Sequence, residues 1–164
     1  EVERSPITGA QMDIYLDPTS GAIGTTLLTD VLKFEYKASD YYDPYWPVNR
    51  ANASFTALID KEKKHEVMLT VQANTAGIAH KATYLETGDR CYLQVSGQGP
   101  TIDGTNSIKA TMTHEMACFV SNMAEFSDEE GVYAVQYTLV VAEDTAWSSG
   151  QAQTMTLTNL VSAL

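Results

Sequence analysis

Positive charge is scarce in this chain, and so are the residue patterns that carry catalysis. Only 10 Lys and Arg stand against 21 Asp and Glu, giving a formal net charge of −11. Proteins that grip nucleic acid neutralise phosphates with clustered Lys and Arg. The densest basic run here, "DKEKKHE" at 60–66, carries its own acids and reads as a solvated hairpin turn. Specific nucleic-acid binding is therefore not expected. No stretch approaches the roughly 18 apolar residues of a membrane span, so no membrane partner is expected either. No secretory leader pattern is visible, and the chain opens at Glu1 rather than Met.

Cysteine is nearly absent. Cys91 and Cys118 both fall inside strand patterns, "CYLQV" and "MACFV". Two cysteines make no disulfide framework, and their wide spacing is no zinc signature. They read as small buried hydrophobes, and a cross-strand disulfide stays open if their strands are neighbours.

Catalytic signatures are missing too. "HE" occurs at His65 and at His114, but no HExxH follows, and no GxSxG elbow is present. His114 shares parity with Met112 and Met116 and reads as a satisfied, partly buried histidine. "GQGP" at 97–100 lacks the lysine and following helix of a phosphate loop. "SDEEG" at 127–131 offers hard oxygen ligands without EF-hand spacing and reads as a hairpin turn. "NAS" at Asn52 is a glycosylation sequon. Nothing singles out a carboxylate pair for glycoside hydrolysis. Neither an enzyme, a metal nor a cofactor is expected.

What is present is period-two alternation. Met12, Ile14 and Leu16 share one side, as do Leu32, Phe34 and Tyr36, with Lys33, Glu35 and Lys37 opposite. Val67, Leu69 and Val71 alternate, as do Cys91, Leu93 and Val95. "VYAVQYTLVVAE" is the strongest strand. "QTMTLTNLVSAL" closes the chain with Met155, Leu157 and Val161 in phase, and with Thr154, Thr156 and Thr158 turned to a solvated or intersubunit side. One segment, "NTAGIAHKATYLETGD", breaks the pattern. Asn74 or Thr75 can cap a short helix near 76–87 and Gly88 can end it. The fold class is mainly β, an antiparallel β-sandwich or partly closed barrel with one short helix. Residues 1–30 form an N-terminal arm or edge strand, and 31–164 a single sandwich domain.

"DYYDPYWPVNR" at 40–50 concentrates aromatics and prolines between strands. Such a loop can cap its own domain. It can stack on sugar rings, which gives the alternative function: a carbohydrate-binding β-sandwich module using Tyr41, Tyr45 or Trp46. It can also self-associate, since interfaces enrich Tyr and Trp.

The arrangement from Val31 onward resembles the tail-tube (major tail) proteins of long-tailed bacteriophages. "VLKFEYK", the loop 38–50, "EVMLTVQAN", the helix and "CYLQVSGQGP" follow in the family's order, and "FSDEEGVYAVQYTLVVAEDTAW" with a Thr-rich last strand closes it. The resemblance implies a non-enzymatic subunit that self-assembles into rings, usually hexameric. Stacked rings form a tube for genome passage, with other tail proteins as partners. The location implied is the virion tail, assembled in the host cytoplasm. An acidic lumen would let DNA slide without sticking. Tyr41, Tyr42, Tyr45 and Trp46 are then the expected intersubunit anchors, with Trp147 a lesser one.

Overall fold

A computed structural model describes residues 9–39, 42–45, 57–60, 64–103 and 108–158. The strands among them are β1 (Met12–Asp17), β2 (Val31–Ala38), β3 (Tyr42–Tyr45), β4 (Ala57–Asp60), β5 (His65–Gln72), β6 (Arg90–Asp103), β7 (Ile108–Met123), β8 (Ser127–Glu129), β9 (Val132–Val141) and β10 (Gln153–Thr158). One helix, α1 (Thr75–His80), runs into a π-turn over Lys81–Leu85. The fold is mostly antiparallel β.

An 8-stranded sheet runs β1-β6-β7-β9-β5-β2, with β8 added to β9 and β10 to β7. β7 is the pivot. One of its edges pairs with β6 along most of its length. The other is shared: Thr111–Met116 take β10, and Cys118–Met123 take β9. The sheet therefore forks at β7 and curls. Its two ends, β1 and β2, flank a cleft of about 530 Å³ lined by Met12, Ile14, Leu28, Val31 and Phe34. The sheet comes most of the way round without closing.

The alternation read from sequence supplies the core. Leu16, Val67, Leu69, Cys91, Leu93, Met116, Cys118, Val135, Tyr137 and Leu139 are buried in one cluster. Cys91 lies directly opposite Cys118 in the β6–β7 ladder, and both are free thiols. Burial pushes the Cys91 thiol up to about 12. Both cysteines thus behave as small apolar fillers.

Alternation misleads on β2 and on β10. Leu32 does not join Phe34 and Tyr36 inside. The β2–β5 register shifts between Val31 and Lys33, and this bulge turns Leu32 outward, because an extra residue flips the pleat. Met155 and Leu157 are in phase with Met112 and His114 across the ladder, yet 57% and 61% exposed. β10 projects past the core, and among the described residues none covers that face of it.

The helix begins where expected. The Asn74 side chain accepts the Gly77 N–H at 2.8 Å, and Gly88 ends the segment at φ +69°. Gly77 is required by space, since a Cβ there would sit 2.1 Å from the Gln72 carbonyl oxygen. The buried Tyr137 hydroxyl donates to the Gly77 carbonyl at 2.9 Å. It takes the acceptor that the next helical turn would use, and the chain widens into the π-turn closed by Glu86 N–H on Lys81 O. "SDEEG" is the hairpin expected: Glu130 and Gly131 both have positive φ, the pairing preferred in two-residue turns, and Asp128 accepts the Gly131 N–H at 2.7 Å.

Candidate assembly surfaces

The β3–β4 pair forms its own 2-stranded sheet. Ala38 faces His65 and Tyr42 faces Asp60, so the ribbon continues the β2–β5 hairpin with a one-residue change of register. An isolated two-stranded ribbon is marginal in water, so this one has reason to dock elsewhere. Tyr42 and Tyr45 lie on β3 by backbone position; Tyr41 and Trp46 lie outside the described residues.

Trp147 is only 9% exposed, packed with Tyr92 and Ala117 on the outer face of β6 and β7. Its ring lies 6.1 Å from that of Tyr92, edge to face. The Tyr92 hydroxyl donates to Asp144 Oδ2 at 2.5 Å, and Asp144 Oδ1 accepts the Ala146 N–H at 3.0 Å. These bonds, Tyr92 first, hold the Asp144 carboxyl below its ordinary value. A strap over 142–150 is thereby pinned across one end of the sheet. The Arg90 guanidinium lies 4.5 Å over the Phe119 ring and donates to the Ala142 carbonyl, tying down the same strap. Nearby, Asp17 is buried and accepts hydrogen bonds from Gly24 N, Thr25 N, Thr25 Oγ1 and Thr26 N. Burial pushes its carboxyl up, but the bonds from Thr26 and Thr25 outweigh it, and the net shift is downward.

The other end of that outer face is polar and half-buried, with Gly24 lying against Gln94. Gln94 of β6, Glu115 of β7 and Thr154 of β10 stand in one row across the ladders. Gln94 Nε2 donates to Glu115 Oε1 at 2.9 Å, and Thr154 Oγ1 donates to Glu115 Oε2 at 3.3 Å. Ser96, Thr113 and Thr156 form the next row.

Strand edges remain available. Among the described residues, β2 pairs only with β5 and β10 only with β7. Unpaired edges are templates for another strand. Between these two edges runs a side-chain seam. Tyr36 of β2 donates to Gln153 Oε1 of β10 at 2.9 Å, and that same oxygen lies 2.9 Å from His114 Nε2. The His65 Nδ1 lies 2.6 Å from the Tyr36 hydroxyl. With Tyr36 donating to Gln153, the Nδ1–H of His65 donates to Tyr36. His114 is thus a satisfied, buried histidine. Alternation puts Tyr133 on one face with Val135, Tyr137, Leu139 and Val141, yet it is 73% exposed while Val135 and Tyr137 are buried; Phe126 is exposed as well. Phe126 lies in the link between β7 and β8, and for Tyr133 alternation alone does not tell where along a strand the cover ends.

Among the described residues no His, Cys, Asp and Glu side chains gather as a metal site, and no helix is long and apolar enough to cross a membrane.

Neither a protein-family model nor a curated protein sequence matches the chain. Solved structures do. A chain of the sheath-tube complex of an extracellular contractile injection system, PVC, superposes with a TM-score of 0.57 at 11% identity, over 96% of this chain and 95% of that one. The SPP1 tail tube gives 0.55 at 14% identity, over 82% and 75%. The chain has a tail-tube-like fold. The anti-feeding prophage baseplate also contains a chain similar to it, with a TM-score of 0.50 at 10% identity over 93% and 97%. At these identities the tail-tube likeness is one of fold and element order, the same level at which the sequence resemblance was read.

Proposed function

We propose that this tail-tube-like chain is a non-enzymatic structural subunit that self-assembles into rings, hexameric as the resemblance implies, stacked into a tube for genome passage. It works in the phage tail, after assembly in the host cytoplasm, beside other tail proteins, and its lumen is acidic. The observation that carries this reading is the near-complete overlap, 96% of this chain on 95% of the other, with a chain from a sheath-tube complex. The open edges of β2 and β10 and the uncovered Met155 and Leu157 support it, because ring closure removes hazardous edges and buries apolar surface.

Tyr41, Tyr42, Tyr45 and Trp46 are the anchors, carried toward the next subunit by the β3–β4 ribbon. Trp147 takes a lesser part, since its ring is already committed to Tyr92.

Negative-stain electron microscopy with light scattering, over a series of concentrations, tests the reading. Rings or tubes are expected, and Trp46→Ala is expected to abolish them. A 17.9 kDa monomer at high concentration would overturn the assembly reading, and a glycan screen would then test the loop as a sugar platform.

A further inference from the structure

The polar end of the β6–β7–β10 face has a composition unlike the rest of the surface. Its rows hold hydroxyls and amides: Gln94 and Thr154 around Glu115, then Ser96, Thr113 and Thr156. β1 extends the rows with Tyr15 and Asp13, which face Gln94 and Ser96. The carboxylates here are Asp13 and Glu115, and both oxygens of Glu115 are already bonded to neighbours. Among the described residues, the cations of these strands stand at the two ends of the face and are engaged there: Lys109 of β7 donates to Gln98 at 3.1 Å, and Arg90 of β6 donates to the Ala142 carbonyl and lies over the Phe119 ring. Lys33, Lys37, Lys64 and Lys81 lie on other elements.

Among the described residues, exposed Leu27 borders the rows where it bridges to Tyr15, and the other exposed apolar side chains are elsewhere, Ile78 on α1 among them. Met155 and Leu157 point from the opposite face of β10, in phase with His114 and Met112. Leu32, Phe126 and Tyr133 sit on β2, after β7 and on β9. A subunit joint must bury apolar surface, so joints fit those places and not the polar rows. The polar face also ends at the free edge of β10, across which a neighbouring strand could continue the sheet without a break.

We infer that this polar face lines the bore of the assembled tube, and that it forms a hydroxyl-rich wall, acidic through Asp13 and Glu115, along which a phosphodiester chain slides. The inference rests on the tube reading above and identifies its conducting surface. Phosphates are held by Lys and Arg and released by salt. A wall of Thr, Ser and Gln with isolated carboxylates provides no such anchor. Its hydroxyls exchange hydrogen bonds with water and phosphate alike, so contact with the cargo carries little net gain. Glu115 sets the sign of the wall and, locked by Gln94 and Thr154, keeps its charge in a fixed position.

The test places a thiol on the face. Tubes of Thr113→Cys are reacted with a gold-cluster maleimide and imaged by electron microscopy. Native Cys91 and Cys118 are fully buried and stay silent. Gold along the tube axis is the expected result, and gold on the outer wall would overturn the assignment. If Thr113→Cys does not fold, Thr156→Cys reports on the same face with the same two outcomes. Unlabelled parent chain that forms no tubes would overturn the tube reading and this inference with it. Tubes with externally placed gold would overturn this inference alone. For the charge, Glu115→Lys tubes are expected to retain duplex DNA at low salt and release it at high salt, where parent tubes retain none. Equal retention by parent and variant would refute the role given to Glu115.

Discussion

On the inner side of β6 and β7, Leu93, Met116 and Cys118 are wholly buried; one position along each strand, Gln94, Glu115 and Phe119 keep contact with water. The outer side is itself divided. At one end Tyr92 and Ala117 are covered by Trp147 of a strap held through Asp144, and at the other Thr113 is half-buried and Thr156 exposed. The same two strands thus serve three surroundings: a core, a small satellite core, and a polar wall. Alternation separates the inner side from the outer, but the paths of the 142–150 strap and of the segment after β1, which packs Ile23 on Tyr92 and brings Gly24 against Gln94, decide which outer positions are covered.

This comparison can be broken from its most buried side outward. Leu93→Ala should destabilise the chain by about 3 to 4 kcal/mol in urea unfolding, as deletion of a fully buried leucine leaves a cavity. A loss below about 1 kcal/mol would mean that the inner cluster is not the dominant core. Trp147→Ala removes the centre of the satellite core, and about 2 to 3 kcal/mol is expected, less than a fully enclosed aromatic gives. Tyr137→Phe keeps the ring but leaves the Gly77 carbonyl without its hydroxyl partner. About 1 to 2 kcal/mol follows, with faster amide exchange across the π-turn as the accompanying sign.

The strap adds a pH dependence. The Asp144 carboxyl lies below its ordinary value of 3.8 because of the Tyr92 and Ala146 hydrogen bonds. A group depressed on folding contributes its stability above the unfolded value, and that contribution is lost as pH falls through the folded one. Unfolding midpoints should therefore drop less steeply below about pH 4 in Asp144→Asn than in the parent; parallel curves would remove Asp144 from the account. The smallest effect belongs to the polar wall. Thr113→Ala should change stability by no more than about 0.5 kcal/mol, and a larger loss would show that the wall is a structural seam.

Much of the fold was legible in the sequence. The alternation of Val67, Leu69 and Val71, of Cys91, Leu93 and Val95, and of Tyr137 and Leu139 named core positions, and the Asn74 cap with Gly88 bounded the helix. Leu32 was misplaced because a bulge leaves no mark on the alternation until the partner strand is known. Met155 and Leu157 were read with the core because phase gives a side of the strand and says nothing of what lies over it. For the site, the value of Gly77 was hidden, since the atom that excludes a side chain there is the Gln72 carbonyl of an adjoining segment.

By itself the sequence determined the strands, the one helix, the shortage of cations and the aromatic segment at 40–50, because these depend on residue type and spacing along the chain. The tertiary structure decided the fork of the sheet at β7, the facing of Cys91 and Cys118, the seam from Tyr36 to Gln153, and the division of the outer face into a strapped and a polar end. Those depend on which strands become neighbours, and neighbourhood is set by long-range pairing that no local pattern of residues specifies.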